Sequence, residues 1–293
     1  MLTILRSSLF LLGVLGAATL GRRDDLWQPI VGAKIQMMIS GSLAVGTSAV
    51  PSDVDIFDVD LFETSSSTIQ NLQARGAKVI CYFSAGTSEY WRPDYNQFTS
   101  TDKGSELPDW KGEKYLNLRS ANVLRIMKAR IANAASIGCD AIDPDNMDGF
   151  TNTNGLGLAA ADSTLFMRAL AAEAAKYGMS TGLKNAQSII ASVADVVQFA
   201  VNEECKMVTK DCGVYDEFIA EKPVFHVEYV SSHSGNTIRS NYDGYQGMTS
   251  DEVKAAYCLK DDPTQAARFS TIIKTLALDD WVLYCDGKSA GWE

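Results

Sequence analysis

The sequence has few of the residues and motifs on which several large enzyme classes depend. Only two of its 293 residues are histidine, and no CxxC pair occurs, so a zinc site would have few ligands to draw on. Two histidines also leave few candidates for nucleophilic hydrolysis by a Ser-His-Asp arrangement. No GxGxxG or GxxxxGK[ST] follows a strand-like segment, which removes the main signature of nucleotide-binding open sheets. Carboxyl chemistry is left as the main candidate.

The chain also lacks an excess of basic residues. Its 26 lysines and arginines stand against 36 acidic residues, for a net charge of −10 and a pI near 4.8. That balance argues against nucleic acid as a partner, because nucleic acid selects basic surfaces. An acidic surface most often serves solubility, and the alternative is a cationic partner. Charge alone does not choose between them.

The N-terminus is the one place with a long apolar run. Arg6 precedes an apolar stretch over residues 9–20, and small residues follow Leu15 as at a signal-peptidase site. The stretch is shorter than the ~20 apolar residues of a bilayer span. We therefore predict a secretory signal over residues 1–20, with an uncleaved signal anchor as the alternative. Residues 24–293 are predicted to form one domain, with no stable membrane insertion.

Six cysteines would then meet an oxidising environment. Cys205 and Cys212 are close enough in sequence to close a small loop, and Cys258 and Cys285 are placed to tie down the C-terminus. Cys81 and Cys139 lie in or beside buried strands, where a free cysteine is also common. Six cysteines allow fifteen pairings, so the connectivity stays open.

Strand-like and helix-like segments alternate along the chain. Strands are predicted at residues 34–39, 54–61, 78–84, 139–143, 179–184, 196–202, 224–229 and 281–285. Helices are predicted over SSSTIQNLQARG, NVLRIMKARIANAASIG, ADSTLFMRALAAEAAKYG (capped by Asp162 or Ser163) and AARFSTIIKTLALDD. This alternation indicates parallel βα units. It favours an α/β fold with a closed (β/α)8 TIM-type barrel as a single domain over an open doubly wound sheet.

Acidic and other polar residues concentrate where these strands end. The strand-end residues are Asp58 and Asp60, Tyr82 and Ser84, Asp143 and Asp145, Lys184 and Asn185, Asn202 to Glu204, and Glu228 and Tyr229. In a barrel these ends converge on one bowl, and the insertion over residues 87–118 lies at the same end. Crowded carboxyl groups push one another's pKa values apart, which suits a hydrolysis that needs one ionised and one protonated carboxyl. Tyr82, Trp91 and Tyr229 would supply flat faces for sugar rings.

Several long segments resemble a known family. DIFDVDLFET, KVICYFSAGTSEYWRPD, GCDAIDPDNMDGF, TGLKNA, FAVNEEC, KPVFHVEY and WVLYC, in this order, are similar to the endo-α-1,4-polygalactosaminidases. The resemblance covers Trp27 to Cys285. It implies a (β/α)8 glycoside hydrolase that cleaves within α-1,4-linked galactosamine polymers such as galactosaminogalactan, as a monomer without a cofactor. Such a polymer is cationic, so the net negative charge of the protein would attract it in addition to favouring solubility.

The resemblance also implies a site. It places the catalytic pair on Asp145 and Glu203, with Glu204 as the alternative to Glu203. By analogy with α-retaining barrel glycosidases, Asp145 would be the nucleophile and Glu203 the acid/base. Asp143 and Glu228 are expected to support them, for example by holding the amino group of the sugar. Further substrate-binding candidates are Asp60, Tyr82, Glu89, Arg92, Asp94, Lys184, Asn185 and Tyr229.

Other readings of the same residues stay open. Arg92 and Lys184 are alternatively partners that tune the carboxylates, while Asp140 and Asp148 have mainly structural interpretations, at a strand start and a turn. Two alternatives to an active two-carboxylate hydrolase are a carbohydrate-binding barrel without activity and a hydrolase using aspartates as Mg²⁺ or Ca²⁺ ligands.

Overall fold

The structure is a computed structural model that describes residues 26–41, 43, 52–230, 250–259 and 268–290. The predicted signal segment lies outside the described residues. Within the described part of the chain, no helix is long and apolar enough to cross a membrane.

Parallel strands with helices between them form the body of the molecule. The strands are β1 (Ile35–Met38), β2 (Ile56–Asp60), β3 (Lys78–Ser84), β4 (Thr87–Glu89), β5 (Lys103–Glu106), β6 (Glu113–Leu116), β7 (Ala141–Asp145), β8 (Ser180–Lys184), β9 (Phe199–Glu203), β10 (Val224–Tyr229), β11 (Phe269–Lys274), β12 (Val282–Tyr284) and β13 (Ser289–Ala290). The helices are α1 (Ser66–Ala74), α2 (Ala121–Ile137), α3 (Ala160–Ala175), α4 (Ile190–Val193) and α5 (Ser250–Tyr257).

The main sheet is a barrel of eight parallel strands. Strands β1, β2, β3, β7, β8, β9, β10 and β11 follow one another as parallel neighbours. The two ends of the sheet meet where the backbone N–H groups of Ile39 and Ser40 donate to the Leu278 carbonyl, at 3.1 and 3.2 Å. The predicted (β/α)8 barrel is confirmed. Strands β4, β6 and β5 form a separate antiparallel sheet inside the predicted insertion.

Local sequence explains where three helices begin and end. Helix α1 is capped by Ser65, whose hydroxyl accepts from the Thr68 N–H, and α2 stops at Gly138 in the left-handed conformation, with a φ of 99°. Helix α3 begins at Ala160, earlier than predicted. The Asp162 carboxylate lies in its first turn and accepts from the Ala159 N–H at 2.9 Å, so it stabilises the N-terminus without being the cap.

The eighth parallel strand is not the predicted one. Residues 281–285 were expected to form it, but β12 runs antiparallel to β11 at the edge of the barrel. The parallel partner of β10 is β11, a segment predicted as helix. Three consecutive β-branched residues (Thr271, Ile272 and Ile273) lie within it, and such side chains favour the pleated sheet.

Strand register sets which side chains point into the barrel. Asp60, Tyr82 and Asp143 are lateral neighbours on β2, β3 and β7, and Ser84 is the neighbour of Asp145. Laterally paired residues project to the same face, and residues two apart on one strand share that face. The acids of β2 and β7 therefore point to one side, in layers that end at the carboxyl edge.

All six cysteines form disulfides. Cys205 pairs with Cys212 and Cys258 with Cys285, as their positions suggested, and Cys81 pairs with Cys139 between the neighbouring strand segments β3 and β7. Three disulfides are typical of proteins that fold in an oxidising compartment.

We expect the Cys81–Cys139 disulfide to stabilise the fold more than Cys205–Cys212, because it closes 58 residues rather than 7. Chain entropy alone gives about 4 kcal/mol for the longer loop and about 2 kcal/mol for the shorter one. Urea unfolding of the two double Cys→Ala variants measures both losses of free energy. Equal losses would contradict this ranking.

Candidate active site

A buried lysine joins two carboxylates at the carboxyl end of the barrel. Strand β7 ends in Asp145, β8 in Lys184 and β9 in Glu203. The Lys184 Nζ lies 3.0 Å from Asp145 Oδ2 and 3.1 Å from Glu203 Oε2. The lysine side chain is 2% exposed, whereas the carboxylate side chains keep 12% and 20% of their surface open. The two carboxylates therefore share one ammonium and still face the bowl.

Asp145 is held from three sides. Tyr82 Oη donates to Oδ2 at 2.9 Å, and the Asn146 N–H donates to Oδ1 at 2.6 Å. Asn146 takes a φ of 62°, a left-handed turn immediately after the strand. The loop after β3 packs on this turn so closely that a Cβ on Gly86 would lie 1.8 Å from the Asn146 carbonyl oxygen. Gly86 thus allows the two loops to fix the direction of Asp145.

Glu203 is held by three donors. Tyr229 Oη donates to Oε1, Asn185 Nδ2 donates to Oε2 at 2.8 Å, and Lys184 approaches the same Oε2. Burial acts to raise the pKa of Glu203, but the Lys184 charge and the bonds from Tyr229 and Asn185 outweigh it and lower the pKa below its ordinary value. In the substrate-free protein Glu203 is therefore an ionised carboxylate at neutral pH.

The lysine is held in its charged form in turn. Burial acts to lower the pKa of Lys184, but the charges of Asp145, Glu203 and Asp143 raise it above the ordinary value. Burial and the charge of Asp145 raise the pKa of Tyr82, and burial and Glu203 do the same for Tyr229, so both phenols remain hydrogen-bond donors. The site is a fixed set of donors around two carboxylates.

The structure separates the two adjacent glutamates. Glu203 ends strand β9 and contacts Lys184, whereas Glu204 has a φ of 61° and begins the π-helical turn over Cys205–Thr209. Of the two, Glu203 is the one brought to Asp145.

Four predicted substrate-binding residues belong to an ion-pair network instead of the open bowl, and all of them except the partly exposed Asp94 are buried. They are Asp60, Glu89, Arg92 and Asp94. Arg92 bonds both oxygens of Asp60, at 2.9 and 2.5 Å, and lies 2.9 Å from Glu89. Arg130 binds Asp94 in the same bidentate way, with two bonds of 2.8 Å. The network anchors the insertion to strand β2 and helix α2, in line with the alternative reading of Arg92 as a partner of carboxylates.

Glu228 points away from the bowl. Neighbouring residues of a strand face opposite sides, and Tyr229 is the one that reaches Glu203. Glu228 is fully buried, and its Oε1 accepts from the backbone N–H of Lys206 at 2.9 Å and lies 2.8 Å from His226 Nε2. Its place is under the turn that follows Glu203, where it fixes that turn.

Asp143 lies differently from the expectation, and Asp148 has a second feature besides its place in a turn. Asp143 has no exposed surface, so it offers no face to a ligand in the bowl. Asp148, predicted from the sequence to be a turn residue, lies in a turn, is half-buried, and is close enough to Asp145 and Glu203 for their charges to act on it. Burial and the charge of Asp145 raise the pKa of Asp148 to about 6. The turn composition around Gly149 gave no sign of this proximity, because turns commonly contain aspartate for their own hydrogen bonds.

One group of possible metal ligands exists among the described residues. Ligand atoms of Cys205, Cys212 and His226 lie within 4.8 Å of one another. Both cysteines are joined in a disulfide and have no thiolate to offer a cation.

A (β/α)8 barrel with paired carboxylates after its fourth and sixth strands has the architecture of a glycoside hydrolase. The chain belongs to glycoside-hydrolase family GH114, whose family model matches residues 16–290. This confirms the resemblance to the endo-α-1,4-polygalactosaminidases seen in the sequence.

Solved structures give the same picture. Ega3 of Aspergillus fumigatus, crystallised with galactosamine, is 45% identical over 88% of this chain and 97% of its own, with a TM-score of 0.77. The glycoside hydrolase domain of PelA from Pseudomonas aeruginosa is 13% identical over 84% of this chain and 96% of its own, with a TM-score of 0.59, and shows the shared fold. No curated protein sequence matches the chain.

Proposed function

We propose that the protein is a secreted endo-acting hydrolase of α-1,4-linked galactosamine polymers. The observation that carries the proposal is the pair of slightly exposed carboxylates, Asp145 and Glu203, held on one lysine in a chain 45% identical to a protein crystallised with galactosamine. The net charge of −10 favours a cationic polymer, and the three disulfides and the N-terminal sequence favour secretion.

We infer a retaining mechanism from the spacing. Both carboxylate oxygens lie close to the same Nζ, so they are no more than roughly 6 Å apart, nearer to the ~5–5.5 Å of retaining enzymes than to the wider range of inverting ones. Asp145 attacks the anomeric carbon while Glu203 gives its proton to the leaving glycosidic oxygen. Glu203 then takes a proton from water, whose oxygen displaces Asp145 and restores both groups.

The lowered pKa of Glu203 places this reaction at acidic pH. A general acid has to begin the reaction protonated, and Glu203 holds its proton only at pH values below its ordinary range. The same acidity keeps every amino group of the substrate cationic. We therefore propose an activity that falls as the pH rises towards neutrality.

Asp148 is the proposed reader of the free amino group. It is partly exposed beside Asp145, whereas Asp143 and Glu228 are fully buried. The cationic amino group would stabilise the ionised form of Asp148 and lower its raised pKa on binding, so we expect Asp148→Asn to raise KM for the deacetylated polymer about tenfold, the equivalent of one pKa unit, and to change hydrolysis of partly acetylated polymer less. Asp195→Asn is the matched control, because it removes the same charge from an exposed ion pair with Arg168. Equal effects on both substrates would contradict a role in reading the amine.

Product analysis by mass spectrometry tests the proposed function. Polymers of defined acetylation should yield galactosamine oligomers, and full N-acetylation should abolish cleavage. Activity that survives exhaustive chelation excludes the metal-dependent hydrolase. If the wild-type protein binds the polymer but releases no product, the result would instead support the inactive carbohydrate-binding barrel.

A further inference from the structure

A chain of hydrogen bonds runs from the insertion to the turn that follows strand β7. Thr87 on β4 and Glu113 on β6 face the same side of the small sheet, because Thr87 pairs with Tyr115, two residues beyond Glu113. Thr87 Oγ1 donates to Glu113 Oε2 at 2.9 Å and lies 2.5 Å from Ser84 Oγ. Asn146 Nδ2 donates to the same Ser84 Oγ at 2.9 Å. Two hydroxyl groups therefore join Glu113 to Asn146.

The direction of this chain is fixed because each hydroxyl group has one proton. The proton of Thr87 goes to Glu113, so Ser84 is the donor in the contact between the two hydroxyls. The lone pairs of Ser84 Oγ then accept from Asn146 Nδ2 and from the Thr87 backbone N–H, at 2.9 and 3.2 Å. Ser84 and Thr87 are both 0% exposed, so bulk water has no access to them. Ser84 is thus free to accept from Asn146 because the Thr87 hydroxyl donates elsewhere.

The Glu113 carboxyl group can act as the final acceptor in either protonation state. Burial raises its pKa to about 7, while the hydrogen bond from Thr87 opposes this shift. An ionised carboxylate accepts at both oxygens, and the neutral acid keeps an oxygen that accepts. An acceptor for the Thr87 proton is therefore present at neutral and at acidic pH.

We propose that Glu113 is a positioning residue for Asp145 and acts through the turn at Asn146. Asn146 has a φ of 62°, uncommon for residues other than glycine, and its backbone N–H donates to Asp145 Oδ1 at 2.6 Å. The bond from its side chain to Ser84 holds this turn. Without the Glu113 carboxyl group, the Thr87 hydroxyl can turn to Ser84 and compete there with the amide. Asp145 then loses a fixed donor, and the effect of that loss on catalysis rests on the proposed function.

Kinetics on deacetylated polymer test the effect on Asp145. Glu113→Ala should lower kcat about tenfold and leave KM nearly unchanged, because a displaced nucleophile slows the attack rather than the binding. Glu113→Gln, whose amide oxygen still accepts from Thr87, should keep the wild-type rate. Adding Thr87→Val to Glu113→Ala removes the competing hydroxyl and should restore part of the lost kcat. A further loss in the double variant, or a loss in Glu113→Gln as large as in Glu113→Ala, would overturn the proposal.

Hydrogen exchange followed by nuclear magnetic resonance tests the chain without any assay of activity. The backbone N–H of Asn146 should exchange faster in Glu113→Ala than in the wild-type protein, and at the wild-type rate in Glu113→Gln. Glu106→Ala is the matched control, because it removes an exposed carboxylate of the same small sheet that accepts from the Gly112 N–H instead. Unchanged exchange in Glu113→Ala would contradict the chain.

Thermal unfolding checks that these variants fold. Glu113→Leu, which also lacks an acceptor, replaces Glu113→Ala in both experiments if the alanine variant does not fold. Failure of the proposed function itself would show as an active Asp145→Asn variant and would leave the exchange result unaffected.

Discussion

Asp145→Asn should lower kcat on the deacetylated polymer by about 10⁴-fold or more and leave polymer binding measurable, as expected when a nucleophile is replaced by an isosteric amide. The amide keeps the size of the side chain, and its one oxygen still accepts either from Tyr82 or from the Asn146 N–H, so one of the two bonds that orient the side chain is kept. It has no charge with which to attack the anomeric carbon. Initial rates and a retention assay on the same preparation measure the two quantities. Hydrolysis at the wild-type rate would exclude Asp145 as a catalytic residue.

Azide distinguishes the roles of the two carboxylates. With a substrate whose leaving group needs no protonation, Asp145→Ala should yield the β-glycosyl azide, because azide replaces the missing nucleophile on the same face. Glu203→Ala should yield the α-glycosyl azide, because azide attacks the glycosyl-enzyme from the other face. If Asp145→Ala gave the α-glycosyl azide and Glu203→Ala the β-glycosyl azide, the roles of the two carboxylates would be reversed.

Glu204→Gln is the matched control for Glu203→Gln. If Glu204→Gln lowers kcat/KM as much as Glu203→Gln does, the result would point to Glu204 as the acid/base.

Lys184→Met should lower kcat/KM about 10³-fold and move the descending limb of the pH profile to higher pH. The ammonium is the chief cause of the lowered pKa of Glu203, so its removal raises that pKa. A general acid works while protonated, and its activity falls as the pH rises through its pKa; a raised pKa therefore extends activity upward. A 10³-fold loss corresponds to about 4 kcal/mol of transition-state stabilisation, which we expect because the lysine orients both carboxylates.

The pH dependence of folding stability gives a second measurement on Lys184→Met. The depressed pKa of Glu203 contributes stability that is present above the unfolded pKa and is lost as the pH falls through the folded pKa. Lys184→Met should therefore lose more stability at neutral pH than at pH 3, measured by urea unfolding at both values. Lys184→Arg, which keeps the charge, is the control. A descending limb that stays in place in Lys184→Met would show that another group sets it.

The sequence predicted which acidic residues share a face at the strand ends, because side chains of a strand point alternately to its two faces. Asp143 and Asp145, like Tyr229 and Val227, had to share faces once β7 and β10 were strands. The same rule would have directed Glu228 outward, since Tyr229 beside it has the ring that a sugar site would use. The prediction failed there because both residues were placed at the strand end without asking which face each one takes.

The sequence could not predict the ion-pair network of the insertion. Asp60 and Arg92 are far apart in the chain, and only the folding of the insertion over β2 decides that they meet at 2.5–2.9 Å and exclude solvent. A charged residue in a long loop is equally compatible with a ligand contact and with an internal partner. Burial decides between the two, and burial is a property of the packed molecule.

The eighth strand shows the same limit at the level of secondary structure. Residues 269–274 and 281–285 are both short apolar runs, and such runs do not state whether they lie parallel or antiparallel to a neighbour. The closure of the barrel decides it, because β10 needs a parallel partner and β11 is the segment that reaches it.

By itself, the sequence determined the alternating βα architecture, the family and the acidic ends of the fourth and sixth strands, with Glu203 and Glu204 left as alternatives, because periodicity and local motifs are properties of neighbouring residues. Only the tertiary structure decided that Lys184 lies between Asp145 and Glu203, and that Asp148 is half-buried near this pair while Asp143 is fully buried. Charge, burial and distance act through space, and they have values only after strands distant in sequence have been brought together.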